Sequence, residues 1–374
     1  MNIGVSDARD VAVQGNHQLS RNAILQISGL AQNPGLEAVE VRRRLKTTSL
    51  FAKVSVEASD KEIVIFVEEK ISWFVLPFFL IDVESKNYGL ILGKSSLLGE
   101  HSEVIARYQM GTNNREATFL AKDEYIFGTP WFAGGTFDYE DSLHSVFVGR
   151  NIMRRMKNKY IGGSFQAGVH LSPWLSLGLH SYFEHHEYEK LDEKILKGNQ
   201  LSHRIYCDFG SIYLDEGIAQ GAMARTYVEL SNPVVSDFHF QKSGILAQVS
   251  IYRHGQFNWI TRPRFELGVS LPRYQLFELG GSRLRGFATQ QFRGTSSLVV
   301  QNDLLLTVWN AWSLKFRPIF YTDLAYVESG VRTGVGTGFH VYFKEVAIPA
   351  VQVFAGYGFN PNGYSVSAAL GPQL

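Results

Sequence analysis

The sequence predicts a transmembrane β-barrel of about sixteen antiparallel strands, preceded by one small α+β domain in the order strand, helix, helix, strand, strand. Three observations carry this prediction. From Phe74 onward helical periodicity gives way to strict alternation of apolar and polar residues. The alternating runs are roughly ten to fourteen residues long, against about five or six in ordinary sheets. No run approaches the ~18 apolar residues of a membrane helix, and the longest, Ser72 to Val83, contains Pro77. A chain that enters hydrocarbon without such a helix has to close its sheet, because only helices and closed barrels satisfy every backbone polar group there.

The first domain is drawn at 8–71. Met1-Asn2-Ile3-Gly4 lacks the basic region and apolar core of a signal peptide, so the sequence reads as the mature form of an exported protein. Val11 to Gln14 alternates as a strand and stops at the turn pair Gly15-Asn16. Ser20 is placed as the N-cap of a helix running through Leu30, with Ile24 and Ile27 on one face. Pro34-Gly35 opens a second helix in which Leu36, Val39 and Leu45 line the buried side. Arg42, Arg43 and Arg44 near its C-terminal end suit the helix dipole and read as a solvated face. Two strands, Lys53 to Ala58 and Glu62 to Val67, are joined by the turn Ser59-Asp60-Lys61.

The barrel is drawn at 72–374. Ile161, Phe165, Ala167, Val169 and Leu171 share one face, with Gly162, Ser164, Gln166, Gly168 and His170 on the other. The same alternation returns around 175–184, 245–252 and 264–271. Candidate strands begin near Phe74, Asn87, Ser102, Arg115, Trp131, Lys159, Trp174, Ser202, Gly221, Lys242, Phe257, Leu298, Phe316, Val335, Ala350 and Tyr364. An even number is what single-chain bacterial barrels have. Asn113-Asn114 and Asn360-Pro361-Asn362-Gly363 read as short turns, and Glu187 to Leu201 and Leu271 to Ser297 as long loops on the opposite side. Arg204, Asp208, Arg225, Glu229, Arg262, Arg264, Glu266, Asp303, Arg317 and Asp323 fall on the inward parity and read as a lumenal ion-pair network.

Between the eleventh and twelfth candidate strands lies Phe277-Glu278-Leu279-Gly280-Gly281-Ser282-Arg283-Leu284-Arg285-Gly286-Phe287. Gly280, Gly281 and Gly286 permit backbone conformations closed to other residues, and Arg283 and Arg285 alternate with Leu284 and Phe287. Such a mix suits a loop folded back into a confined space, where a guanidinium meets a carboxylate and an aromatic ring meets a wall.

Leu284-Arg285-Gly286-Phe287 resembles the Val-Arg-Gly-Phe/Tyr signature of the POTRA-domain outer-membrane barrel superfamily, which includes outer-membrane insertases, two-partner-secretion transporters and surface antigens. In that family the loop tucks into the lumen and its arginine contacts a carboxylate on barrel strand 13. The matching acid here is Asp323, in Phe316-Arg317-Pro318-Ile319-Phe320-Tyr321-Thr322-Asp323-Leu324. The first domain is similar to a POTRA domain through Val13-Gln14-Gly15-Asn16, Ser49-Leu50-Phe51-Ala52-Lys53-Val54 and Val67-Glu68-Glu69. The chain departs from the family in having a single such domain where the insertases have several. It also ends Ala369-Leu370-Gly371-Pro372-Gln373-Leu374 rather than on an aromatic residue.

The resemblance implies a non-enzymatic protein of the bacterial outer membrane, with the POTRA-like domain in the periplasm. It would assist insertion or translocation of an unfolded barrel, a secreted polypeptide or lipid. The alternative is a porin-like or scaffold barrel without insertase activity, self-associating as a homo-oligomer through lipid-facing aromatics in contact with outer-membrane lipid. In the insertase reading the first and last strands, near Phe74 to Asp82 and Tyr364 to Leu370, form the closing seam, where weak pairing lets a client strand bud off. No cofactor is implied, and with net charge +1 no nucleic-acid partner is either. His185 and His186 are adjacent on a strand and point to opposite faces, so they cannot share one metal ion. Gly162-Gly163-Ser164-Phe165-Gln166 lacks the last glycine of a nucleophile elbow and lies within a strand. Cys207, the single cysteine, shares the outward parity of Ile205 and Phe209 and reads as an inert apolar residue.

Overall fold

The structure is a computed structural model and describes residues 10–371 other than 18, 32, 48–49, 60–61, 70–72, 83–84, 96, 98–101, 191–193, 216–217, 254–256, 307–308, 312–313, 328–329 and 344–349. In its N-terminal part β1 (Asp10–Gln14) is followed by α1 (Arg21–Ser28), α2 (Ala38–Thr47), β2 (Phe51–Ala58) and β3 (Glu62–Glu69). Ser20 caps α1 by accepting the Ala23 amide at 3.2 Å, and Gly29 ends the helix in the left-handed conformation. β3 lies centrally, parallel to β1 and antiparallel to β2. Its alternate residues Ile63, Ile65 and Val67 pack against Ile24, Ile27, Val41 and Leu45. Val39 departs from the expected buried face and is 77 % exposed. The apolar stripe of α2 runs through Val41 and Leu45, four residues apart, which turns Val39 to solvent. The boundary drawn at 71/72, Ser49, the turn residues 60–61 and the last residues 372–374 lie outside the described residues.

Sixteen antiparallel strands then close into a barrel. They are β4 (Trp73–Ile81), β5 (Lys86–Ser95), β6 (Ser102–Gly111), β7 (Asn114–Asp123), β8 (Trp131–Val148), β9 (Asn151–Ser172), β10 (Leu175–Glu189), β11 (Ile195–Asp215), β12 (Ile218–Ser231), β13 (Gln241–Arg253) and β14 (Phe257–Val269). A two-stranded hairpin in the following loop, β15 (Phe277–Leu279) and β16 (Phe292–Gly294), stands apart from the wall. The wall resumes with β17 (Ser296–Leu306), continued by β18 (Trp309–Ala311), and then β19 (Leu314–Val327), β20 (Gly330–Phe343), β21 (Val351–Phe359) and β22 (Gly363–Leu370). The N-terminal domain sits at one rim, where α2 touches β11 and Gln26 of α1 lies against Gly128 between β7 and β8.

Alternation sorts the two faces of the wall. Outward residues such as Phe165, Leu171, Leu179, Ile205, Ile245 and Phe320 are exposed, while their neighbours in sequence line the lumen. Trp73, Trp131, Trp174, Trp259 and Trp309 all lie toward the rim that carries the N-terminal domain, 45–72 % exposed. The opposite rim has exposed Tyr88, Tyr108, Tyr326 and Tyr364 instead. At about 3.3 Å per residue and a tilt of about 40°, the run from Phe316 to Tyr326 rises about 25 Å, the height of a hydrocarbon belt between two aromatic girdles.

Two expectations need correction. β8, β9 and β11 are 18, 22 and 21 residues long, and most of 187–201 is strand rather than loop. Beyond Ile161 the outward face of β9 carries exposed Lys159, Lys157 and Arg155, so the ladder continues past the apolar belt into water. There both faces are polar, and cross-strand pairs such as Lys197 to Glu187 at 2.8 Å take the place of apolar alternation. The turns at 112–113 and 360–362 share a rim with the long loop 270–295, since each follows an odd-numbered strand of the barrel. Short turns therefore do not mark the rim of the N-terminal domain.

Candidate functional site

The segment between β14 and β17, the eleventh and twelfth strands of the wall, folds into the lumen from the rim opposite the N-terminal domain. β15 and β16 pair Phe277 with Gly294 and Leu279 with Phe292, which gives the loop its own backbone frame. Apolar side chains seat it: Leu279, Leu284 and Phe287 are buried against Val299 of β17 and Ala325 and Val327 of β19. Full burial of a leucine or phenylalanine contributes about 1.5–3 kcal/mol, so this cluster alone favours the folded-in loop over a solvated one. Polar side chains fix its orientation. Tyr274 stacks on His186 at 3.8 Å between ring centroids and donates to Gln200 Oε1 at 2.6 Å. Glu278 takes an ion pair from Arg293 at 3.0 Å and faces His144 of β8 at 3.7 Å.

Arg285 lies at the centre of this arrangement. It donates from Nε to Asp323 Oδ2 at 2.9 Å and from Nη2 to Asp323 Oδ1 at 2.6 Å, and its backbone N–H reaches Oδ2 at 2.8 Å. Its Nη1 lies 2.6 Å from Asp303 Oδ1 on β17. Asp303 Oδ2 accepts Arg262 Nη1 of β14 at 2.5 Å. The guanidinium also lies over the Tyr321 ring, 4.0 Å from its centroid. Two cations and two carboxylates thus balance in a quartet of which Arg285, Asp303 and Asp323 are buried and Arg262 is partly exposed. Removing one partner of such a buried pair leaves an uncompensated charge at a cost of about 3–5 kcal/mol, far above the ~0–1 kcal/mol of a surface pair.

The backbone makes room for this approach at two glycines. Gly286 has φ +94°, and a Cβ on it would sit 2.9 Å from the Gly358 nitrogen of β21. Gly334 of β20 is the register partner of Asp323, and a Cβ there would overlap the Arg285 carbonyl.

The structure brings Leu284, Arg285, Gly286 and Phe287 together with Asp323. Gly280 and Gly281 turn the chain before them, with the Gly281 amide donating to the Phe287 carbonyl at 3.1 Å. Arg283 does not join the quartet; its Nη1 donates to the Glu278 carbonyl at 3.3 Å and its side chain borders the lumenal cavity. Sequence reasoning placed Asp303 and Arg262 on the inward wall without connecting them to Arg285, and it missed Tyr321, Gly334 and Arg150. Arg150, in the turn between β8 and β9, donates to the Gly286 carbonyl at 2.8 Å. An arginine beside a glycine in a short turn was the only sequence signal for it.

Below the loop the lumen keeps a cavity of about 790 Å³. Its walls carry further ion pairs, Arg204 with Glu229 and Arg225 with Asp208, both at 2.6 Å. His186 is buried and bonds Glu184 at 3.0 Å, whereas His185 faces outward to Asn199. Among the described residues no grouping of histidine, cysteine and carboxylates is arranged to hold a metal ion. Ser164 lies within β9 with its hydroxyl 2.8 Å from that of Thr136.

No protein-family model and no curated protein matches the sequence. Solved structures do. BamA from Haemophilus ducreyi lacking POTRA domains 1-3 superposes with a TM-score of 0.63 at 13 % identity, over 97 % of this chain and 84 % of that one. CdiB from Escherichia coli gives 0.67 at 14 % identity over 98 % and 77 %, and CdiB from Acinetobacter baumannii 0.63 at 11 % over 98 % and 74 %.

Proposed function

From a chain with the fold of the POTRA-domain outer-membrane barrels, we propose a non-enzymatic outer-membrane protein that assists insertion or translocation of polypeptide. The observation that carries the proposal is the closing seam. Among the described residues β22 pairs with β4 over Ala368–Leu370 against Phe79–Ile81, whereas β21 and β22 pair from 351–358 to 363–370. Residues 73–78 of β4 and 363–367 of β22 therefore have no ladder partner across the seam among the described residues. An unpaired edge is a template on which another strand adds by main-chain hydrogen bonds. A barrel meant only to enclose a pore gains nothing from such an edge.

In this reading the lipid-facing belt holds the cylinder in the outer membrane, with the N-terminal domain in the periplasm beside the tryptophan girdle. The quartet around Arg285 pins the loop inside. The client strand pairs at the seam, and main-chain pairing requires no cofactor. Depletion of the protein from its cell tests the proposal. Loss of other barrels or of a secreted polypeptide from the outer membrane is the expected result. Unchanged barrels and secretion with altered conductance would instead establish a passive pore or scaffold.

A further inference from the structure

The short ladder between β22 and β4 leaves open what holds the seam at the rim away from the N-terminal domain. There β22 begins at Gly363, beyond the reach of β4, which ends at Ile81 opposite Ala368. Arg150 enters this region from the far side of the rim, from the turn between β8 and β9. Its Nη2 donates to the carbonyls of Gly286 (2.8 Å) and Gly363 (2.7 Å), its Nη1 to that of Tyr364 (3.2 Å) and its Nε to that of Pro361 (3.2 Å). Its guanidinium carbon lies 5.4 Å from the centroid of the Phe287 ring. Neighbouring Gly149 accepts a bond from Gln291 of the loop at 2.7 Å. On the other side of the seam Thr289 of the loop donates to Asp82, the residue after β4.

We infer that Arg150 is a latch, and that it and the lumenal loop hold the distal end of the seam in place of strand pairing. One guanidinium binds the first residues of β22 and the loop at once, and the loop in turn holds the end of β4. The seam cannot part at this rim while the loop is seated and Arg150 engaged. Conversely, displacement of the loop from within the lumen removes the acceptor at Gly286 and the donor at Thr289 together. A guanidinium suits this task because its fixed fork of donors serves several carbonyls simultaneously, which an ammonium does only in part. The inference deepens the seam reading given above, and it is read from the purified chain without any client, so its failure is distinguishable from failure of the proposed function.

The test is hydrogen exchange on purified full-length protein in detergent, with heat-modifiable gel mobility as the check on the folded barrel. Arg150→Ala should raise exchange in peptides covering 360–371 and 73–82 by about tenfold or more, from loss of charge-assisted bonds, while peptides of β9 to β12 stay at the wild-type rate. Arg150→Lys should fall between the two, and it decides the matter by the same criterion if the alanine variant does not assemble. Thr289→Val should raise exchange in 73–82 alone. Wild-type seam rates in the folded variant, or an equal rise across all strands, would overturn the inference.

Discussion

A guanidinium taken out of water needs every donor engaged, and Arg285 has carboxylates at both ends of its fork and an aromatic face beneath it. The two carboxylates are not equivalent. Asp323 accepts two side-chain bonds and the Arg285 amide, while Asp303 faces a single Arg285 nitrogen and also serves Arg262. Asp323→Asn should therefore release the loop more than Asp303→Asn. Limited trypsin cleavage within 283–293 measures this, and equal cleavage in the two variants would contradict it. Exchanging the charges of Arg285 and Asp323 sets the new aspartate against Asp303, so the swap should recover little of what either single change costs. Adding Asp303→Asn to the swap should improve the recovery, read by the same cleavage. The pair Arg285 and Asp323 was legible because a short motif and a strand number fixed both positions. Asp303 was not, because inward parity alone does not say which lumenal cation it meets, and Arg150 was not, because no local pattern connects a turn residue to a loop and a strand so far away in sequence.

Among the elements, strand starts were legible where they lie at the apolar belt, but β9, β11 and β20 begin at Asn151, Ile195 and Gly330 rather than at the expected Lys159, Ser202 and Val335. Alternation marks where one face meets hydrocarbon, and β4, β6, β8 and β14 begin within a residue of where it starts. It is silent where both faces are wet, which is why the distal starts of β9 and β11 were missed and 187–201 read as loop. In the N-terminal domain Glu40 bonds Arg43 through both oxygens at 2.7 Å and Arg44 at 2.8 Å. The Arg43 hydrogen bond, opposed by burial and aided by Arg44, lowers its carboxyl from the ordinary 4.5 to about 2. A depressed carboxyl contributes stability that is present above about 4.5 and lost as pH falls toward about 2. Glu40→Gln should thus lower the thermal midpoint modestly at neutral pH, with the difference shrinking as pH falls toward about 2. A difference that stays constant across that window would show that the pair does not act through charge.

For the whole molecule, the aromatic girdles predict its depth in the bilayer. If the tryptophans ring the rim beside the N-terminal domain at the level of lipid headgroups, bromine placed high on the acyl chains of reconstituted lipid should quench their fluorescence more than bromine near the bilayer centre. Strongest quenching from the centre would displace the belt. Which rim carries the short turns was not legible, because a two-residue connection closes a hairpin equally well on either side. The even strand count and the lumenal loop were legible.

The seam between β22 and β4 is the central claim, and a lock across it is the direct measurement. Ile81 and Ala368 are register partners in the short ladder. Cysteines at these two positions, in a Cys207→Ser background, should cross-link under oxidising conditions into a folded barrel. The account predicts that the locked chain fails to restore barrel assembly or secretion to depleted cells, and that a reductant brings restoration back. Full restoration by the cross-linked chain would show that the seam never opens, and would leave the protein a passive cylinder.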